Sequence, residues 1–233
     1  MTATGQLDPV ASGTNSVSLA RIALTEAIAT SFLLIAVVGS GIMADRLCGG
    51  NIGLALLANA IATGAALVAL ILTFSASSGA HMNPAVTLWT ALSGRLAWRM
   101  VSAYIPAQVM GAIAGVWLAH LMFDLPVLQL GTHVRTGAGQ WLGEAIATFG
   151  LIAVVRACRD PRDAAIAVGA YITGAYWFTA STSFANPAVT IARSLSDTFA
   201  GIRPVDAPGF ILAQCIGVSV ALLLLPRQPA NRP

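Results

Sequence analysis

Asn83-Pro84-Ala85-Val86-Thr87 recurs unchanged as Asn186-Pro187-Ala188-Val189-Thr190 in the other half of the chain. An Asn-Pro pair is out of place inside a helix, because proline lacks the N–H and clashes with the preceding turn. It suits the first turn of a new helix, where proline fits and the asparagine before it can cap. The surrounding composition is that of a membrane protein. Hydrophobic residues make up 57% of the 233 residues and charged ones 9%, against roughly a quarter charged in soluble domains. Mean hydropathy is +0.79. Six apolar stretches, near 20–43, 52–74, 98–123, 140–157, 163–182 and 207–225, approach or exceed the roughly 20 residues that cross a bilayer. The expected class is an all-α membrane protein with one domain over 19–225. Residues 1–18, polar and without a basic leader region, read as a disordered cytoplasmic tail, and Pro-rich 226–233 as a second tail.

The chain has no lysine, so arginines set orientation. With the N-terminus in the cytoplasm, Arg21, Arg95, Arg99, Arg156, Arg159, Arg162, Arg227 and Arg232 lie inside. Arg46, Arg135, Arg193 and Arg203 lie outside. That bias obeys the positive-inside rule and sets both termini in the cytoplasm. The pI of 9.1 therefore reports topology, and no basic patch large enough for nucleic acid exists.

Two further markers accompany the repeated motif. Glu26-Ala-Ile-Ala-Thr30 returns as Glu144-Ala-Ile-Ala-Thr148, and Gln108 with Gly111 and Gly115 matches Gln214 with Gly217 and Ala221. Each half, about 19–123 and 138–225, holds an odd number of spans, so the second must be inserted upside down. Inverted repeats are one plan for proteins that conduct solutes between their halves. Ala85–Leu92 and Ala188–Leu195 are then short helices entering from opposite sides, with N-termini meeting near the midplane. Such irregular backbone is tolerated only where it is buried or lines a cavity. Their positive dipole ends and the side-chain N–H groups of Asn83 and Asn186 would face the lumen.

With Ser78-Gly-Ala-His-Met-Asn-Pro-Ala-Val-Thr87, the second Asn-Pro-Ala and the paired Glu26 and Glu144, the whole length resembles the aquaporin, or major intrinsic protein, family. The resemblance implies six tilted transmembrane helices plus two re-entrant half-helices around a pore in each subunit. It also implies a homotetramer and passive transport without cofactor or catalysis. The family's outer constriction, counted from the two motifs, falls on Thr63, Gly174, Ser183 and Val189. Where this chain has Val189 the family normally has arginine, and where it has Gly174 water-selective members have histidine. The resulting ring is wider and more neutral, which suits uncharged solutes larger than water. Together with the compact chain and short loops, it resembles bacterial aquaglyceroporins associated with arsenic resistance. The expected cargo is arsenite or related trivalent arsenicals, with glycerol and water, across a bacterial inner membrane. The alternative is a channel mainly for water or glycerol.

Arg193 lies one turn beyond Val189 and has two readings. It either replaces the missing charge from the outer vestibule or snorkels to the interface. Glu26 and Glu144 are ionisable groups within spans, where a functional role is the default suspicion. The resemblance makes them acceptors for the backbone before each half-helix, with a proton relay as the rival. His81 either holds the turn before the first motif or lines and gates the pore. Cys48, Cys158 and Cys215 have no metal-ligand spacing, and Gly111 with Gly115 reads as a close helix crossing. Two rival classes remain. A secondary transporter would show coupling-ion ligands at the midplane, and an intramembrane enzyme a nucleophile with its base.

Overall fold

The computed structural model describes residues 18–225; both expected tails lie outside them, except Ser18, whose Oγ accepts from Arg21 N at 3.3 Å to cap the first helix. The described residues form eight helices in order. They are α1 Leu19–Leu47, α2 Ile52–Ser78, α3 Pro84–Leu92, α4 Trp98–Met122, α5 Ala138–Ala157, α6 Pro161–Phe178, α7 Pro187–Arg193 and α8 Ala207–Leu224. Six are long, and α3 and α7 are the half-helices, the second ending two residues before the expected Leu195. By length and composition α1, α2, α4, α5 and α8 can each cross a membrane. The sixth, α6, opens on Pro161-Arg162-Asp163 and is less apolar. Asp160 caps it, its Oδ1 accepting from Arg162 N and Asp163 N at 2.8 and 2.9 Å.

The packing has the symmetry of the sequence markers. In the first half α1 packs on α4 and α2; in the second, α5 packs on α8 and α6. The halves join where α2 meets α6, while α3 reaches α8 and α7 reaches α4. Lipid gives helices no hydrophobic reason to associate, so close approach by small residues must supply the contact. A Cβ on Gly111 or Gly115 of α4 would fall on the Ala27 or Ser31 carbonyl of α1. A Cβ on Gly217 of α8 would fall on the Ala145 carbonyl of α5. Ala29, Leu34, Val38, Ala112 and Val116 fill the seam of the first half. Phe32, Ile61, Ile166 and Leu212 stay exposed on the outside, as a bilayer-facing surface requires.

Candidate functional site

Six of the described residues other than glycine have positive φ, and five of them precede the two motifs: Ala80 and Met82, then Thr182, Ser183 and Ala185, all between 48° and 59°. Left-handed backbone costs L-residues about 1–2 kcal/mol each, so something must hold these segments. In the first half it is Glu26, fully buried on α1. Its Oε1 accepts from Ser78 Oγ at 2.6 Å and His81 N at 3.0 Å, and its Oε2 from Met82 N and Gln108 Nε2, both at 2.8 Å. In the second half Glu144 on α5 accepts from Phe184 N and Ala185 N at 2.8 Å and from Gln214 Nε2 at 2.6 Å. Gln108 and Gln214 also donate to Thr87 Oγ1 and Thr190 Oγ1, at 3.0 and 2.9 Å. Each carboxylate thus satisfies two backbone N–H groups of one strained approach, while Ser78 Oγ and Ser181 Oγ accept from Ala80 N and Ser183 N. His81 Nδ1 lies 3.0 Å from Thr87 Oγ1, and its ring lies against Tyr104.

The two motifs then lock together. Asn83 Oδ1 accepts from Ala85 N at 2.8 Å, capping α3, and Asn186 Oδ1 accepts from Ala188 N at 3.0 Å, capping α7. Asn83 Nδ2 donates to the Ala185 carbonyl and Asn186 Nδ2 to the Met82 carbonyl, both at 2.8 Å. Pro84 and Pro187 stand at the first helical positions. One hydrogen of each asparagine amide is therefore spent across the junction, leaving one for the lumen.

Beside this junction runs a cavity of ≈ 210 Å³ that extends from Arg95, past both motif asparagines, to Arg193. Its wall is mostly aliphatic, with polar groups from Thr63, His81, Asn83, Ser183 and Asn186. Among the described residues that line it there is no Asp or Glu. Thr63, Ser183 and Val189 line it; Gly174 does not. A Cβ on Gly174 would lie 3.8 Å from the ring of Phe178, which is exposed on the outside. Tyr176, two residues on, takes the inward face of α6, with its hydroxyl 3.3 Å from Thr63 Oγ1. Two residues rotate a helix by roughly 200°. Counting back from Asn186 passes through the irregular stretch after Phe178 and loses that phase, so the cavity wall has Tyr176 where the count expects Gly174.

Arg193 does not reach out to an interface. It is 2% exposed and lines the cavity, its Nε donating to the Ala200 carbonyl and its guanidinium carbon 3.4 Å from the Phe184 ring centroid. Arg135, from the loop before α5, lies 5.2 Å from the same ring and donates from Nε to the Gly201 carbonyl at 2.8 Å. At the opposite end Arg95 stands 5.7 Å from the Trp89 ring. Tyr176, Arg135 and Arg95 are lumenal or near-lumenal residues that the motif spacing does not reveal; the outer and inner arginine sets held the only signal for the last two. Cys48, Cys158 and Cys215 are unpaired thiols.

Comparison with known proteins agrees with this architecture. Residues 13–165 match the family described as major intrinsic protein. The chain is 58% identical to aquaglyceroporin AqpS of Rhizobium meliloti (strain 1021) over 209 residues, 89% of each chain. It is 34% identical to aquaporin NIP1-4 of Oryza sativa subsp. japonica over 193 residues, 77% of this chain and 68% of that one. The solved aquaglyceroporin from Plasmodium falciparum superposes with a TM-score of 0.67 at 21% identity, covering 88% of this chain and 95% of that one. At that identity the likeness speaks for the fold. The chain belongs to the major intrinsic protein family, whose members are membrane channels.

Proposed function

We propose that this protein conducts small uncharged solutes by passive diffusion along the cavity beside the two motifs, with arsenite as leading cargo and glycerol and water beside it. One observation carries the reading: among the described residues the lining joins an aliphatic wall to a few polar groups, holds no carboxylate, and has a guanidinium at each end. Two like charges and two inward-facing helix N-termini repel cations, whereas a neutral polyol needs only hydrogen-bond partners along one side. Arsenite, As(OH)3, is uncharged at neutral pH and close to glycerol in shape and hydroxyl count. The 58% identity to a protein named an aquaglyceroporin supports the same solute class. Thr63, Tyr176, Ser183 and Val189 form the outer filter in this reading, with Asn83 and Asn186 the inner one. The two inverted repeats make up one channel domain. The working unit is a homotetramer in a bacterial inner membrane with both termini cytoplasmic, and no cofactor takes part.

The test is light scattering of reconstituted vesicles challenged with water, glycerol, urea and arsenite gradients, with a pH dye inside. The expected result is arsenite and glycerol flux well above protein-free vesicles and little change in internal pH. Water flux alone, with arsenite at the background rate, would reduce the protein to a water channel.

A further inference from the structure

Arg193 is the largest fully buried side chain of the described residues, yet it has one hydrogen bond, from Nε to the Ala200 carbonyl. A buried guanidinium is costly unless its N–H groups find acceptors. The remaining N–H groups, on Nη1 and Nη2, have no partner among the described residues, and the residue lines the cavity. Their acceptors must come from the lumen. Ser183 Oγ, on the same wall and 2% exposed, is also without a partner among the described residues. The guanidinium is held in place from behind. Its guanidinium carbon lies over the ring of Phe184, which meets Phe210 edge-on at 5.1 Å and whose backbone N–H donates to Glu144. Neighbouring loops fasten the end of α7 that carries it, with Ile202 N donating to the Arg193 carbonyl at 3.3 Å and Gly131 N to the Ser194 carbonyl at 2.9 Å.

We infer that Arg193 is the specificity-determining cation of the outer constriction, standing one helical turn beyond the position where its family carries arginine. Its free Nη donors take an oxygen of the passing water or polyol, while Ser183 Oγ takes or gives the neighbouring hydrogen bond. Its charge adds to the half-helix dipoles in turning back protons and small cations. Val189, short and apolar, leaves the lumen open below it. The replacement of arginine by valine therefore relocates the charge without removing it.

This inference rests on the channel reading above, and the experiment separates the two. Parent, Arg193→Gln and Arg193→Lys proteins are reconstituted. Glycerol flux, proton leak under an imposed potassium diffusion potential, and methylammonium uptake are measured in the same vesicles. Gln keeps a donor for Ala200 and drops the charge; Lys keeps the charge. The expected result is proton leak and methylammonium uptake on the order of tenfold higher in Arg193→Gln, near parent in Arg193→Lys, and low again in Val189→Arg with Arg193→Gln. Unchanged leak in Arg193→Gln, or equal leak in the Gln and Lys proteins, overturns the inference. So does failure of both single variants to fold, which would make Arg193 a structural pin. A parent that passes no glycerol sinks the channel reading instead.

Discussion

Glu26 shows how much one side chain can hold. Both its oxygens accept, two of the four donors being backbone N–H groups of the left-handed approach to Asn83. Glu26→Gln retains one acceptor oxygen and turns the other into an N–H2 facing a donor, whereas Glu26→Ala leaves every donor orphaned, at about 1–3 kcal/mol each. The Gln protein should melt below the parent and the Ala protein well below both, and the same order is expected at Glu144. If Gln and Ala are equally damaging to flux and harmless to stability, proton relay becomes the better account. The asparagine caps and their helix-starting prolines were legible from residue type and position, and the acceptor role of the two carboxylates from the family resemblance. Tyr176 was not, because helix phase is lost where α6 gives way to an irregular turn. Nor were the left-handed residues Met82, Ser183 and Ala185, whose strain is tolerated only through acceptors more than forty positions away, except at Ser183, where Ser181 Oγ accepts from its N–H. Val189→Arg tests a counted position that lines the cavity. It fills the space below Arg193 and should lower the ratio of glycerol to water flux several-fold. The double change with Arg193→Ala separates crowding from charge. A ratio that drops in neither protein removes Val189 from the constriction.

At the scale of elements, the half-helices depend on each other. Asn83 donates to the turn before α7 and Asn186 to the turn before α3, so neither short helix is positioned by its own half alone. Asn83→Asp turns the donor into a carboxylate oxygen against the Ala185 carbonyl, in a site that is 5% exposed. The expected outcome is a strong loss of folded protein or of conduction, and likewise for Asn186→Asp, measured by yield and initial swelling rate. Unchanged values in both proteins would contradict the junction. The loops around α7 have their own fastening. The Asp206 carboxyl lies below the usual carboxylate range, chiefly through hydrogen bonds from Arg203, whose Nε and Nη2 donate at 2.9 and 3.0 Å, and also from Arg135 N. A depressed folded pKa stabilises above the unfolded value and fades as pH falls through the lower one. Hydrogen exchange of residues 195–206 should therefore stay slow from neutral pH down to the ordinary carboxyl range and quicken below it. Exchange that quickens near neutrality would rule out the Asp206 clasp. These loops were illegible in the sequence, because their order comes from contacts between distant segments such as Thr132 with Asp197.

At the scale of the molecule, the inverted plan was readable from three repeated markers and an odd number of spans, and the packing of α1 on α4 against α5 on α8 repeats it. The sequence offered Arg193, one turn beyond Val189, either as a replacement charge or as a snorkelling side chain, and its burial on the cavity wall decides against snorkelling. That burial depends on contacts from residues 200–202, which take the Arg193 Nε hydrogen and donate to its carbonyl, a tertiary fact that spacing alone does not carry. The central claim is that solutes diffuse past the asparagine junction without coupling to an ion. The most direct test is initial glycerol uptake into reconstituted vesicles over a wide concentration range, with and without imposed sodium and proton gradients. A channel gives uptake linear in concentration and indifferent to either gradient. Saturable uptake that rises with a sodium or proton gradient would contradict the account and make the protein a secondary transporter.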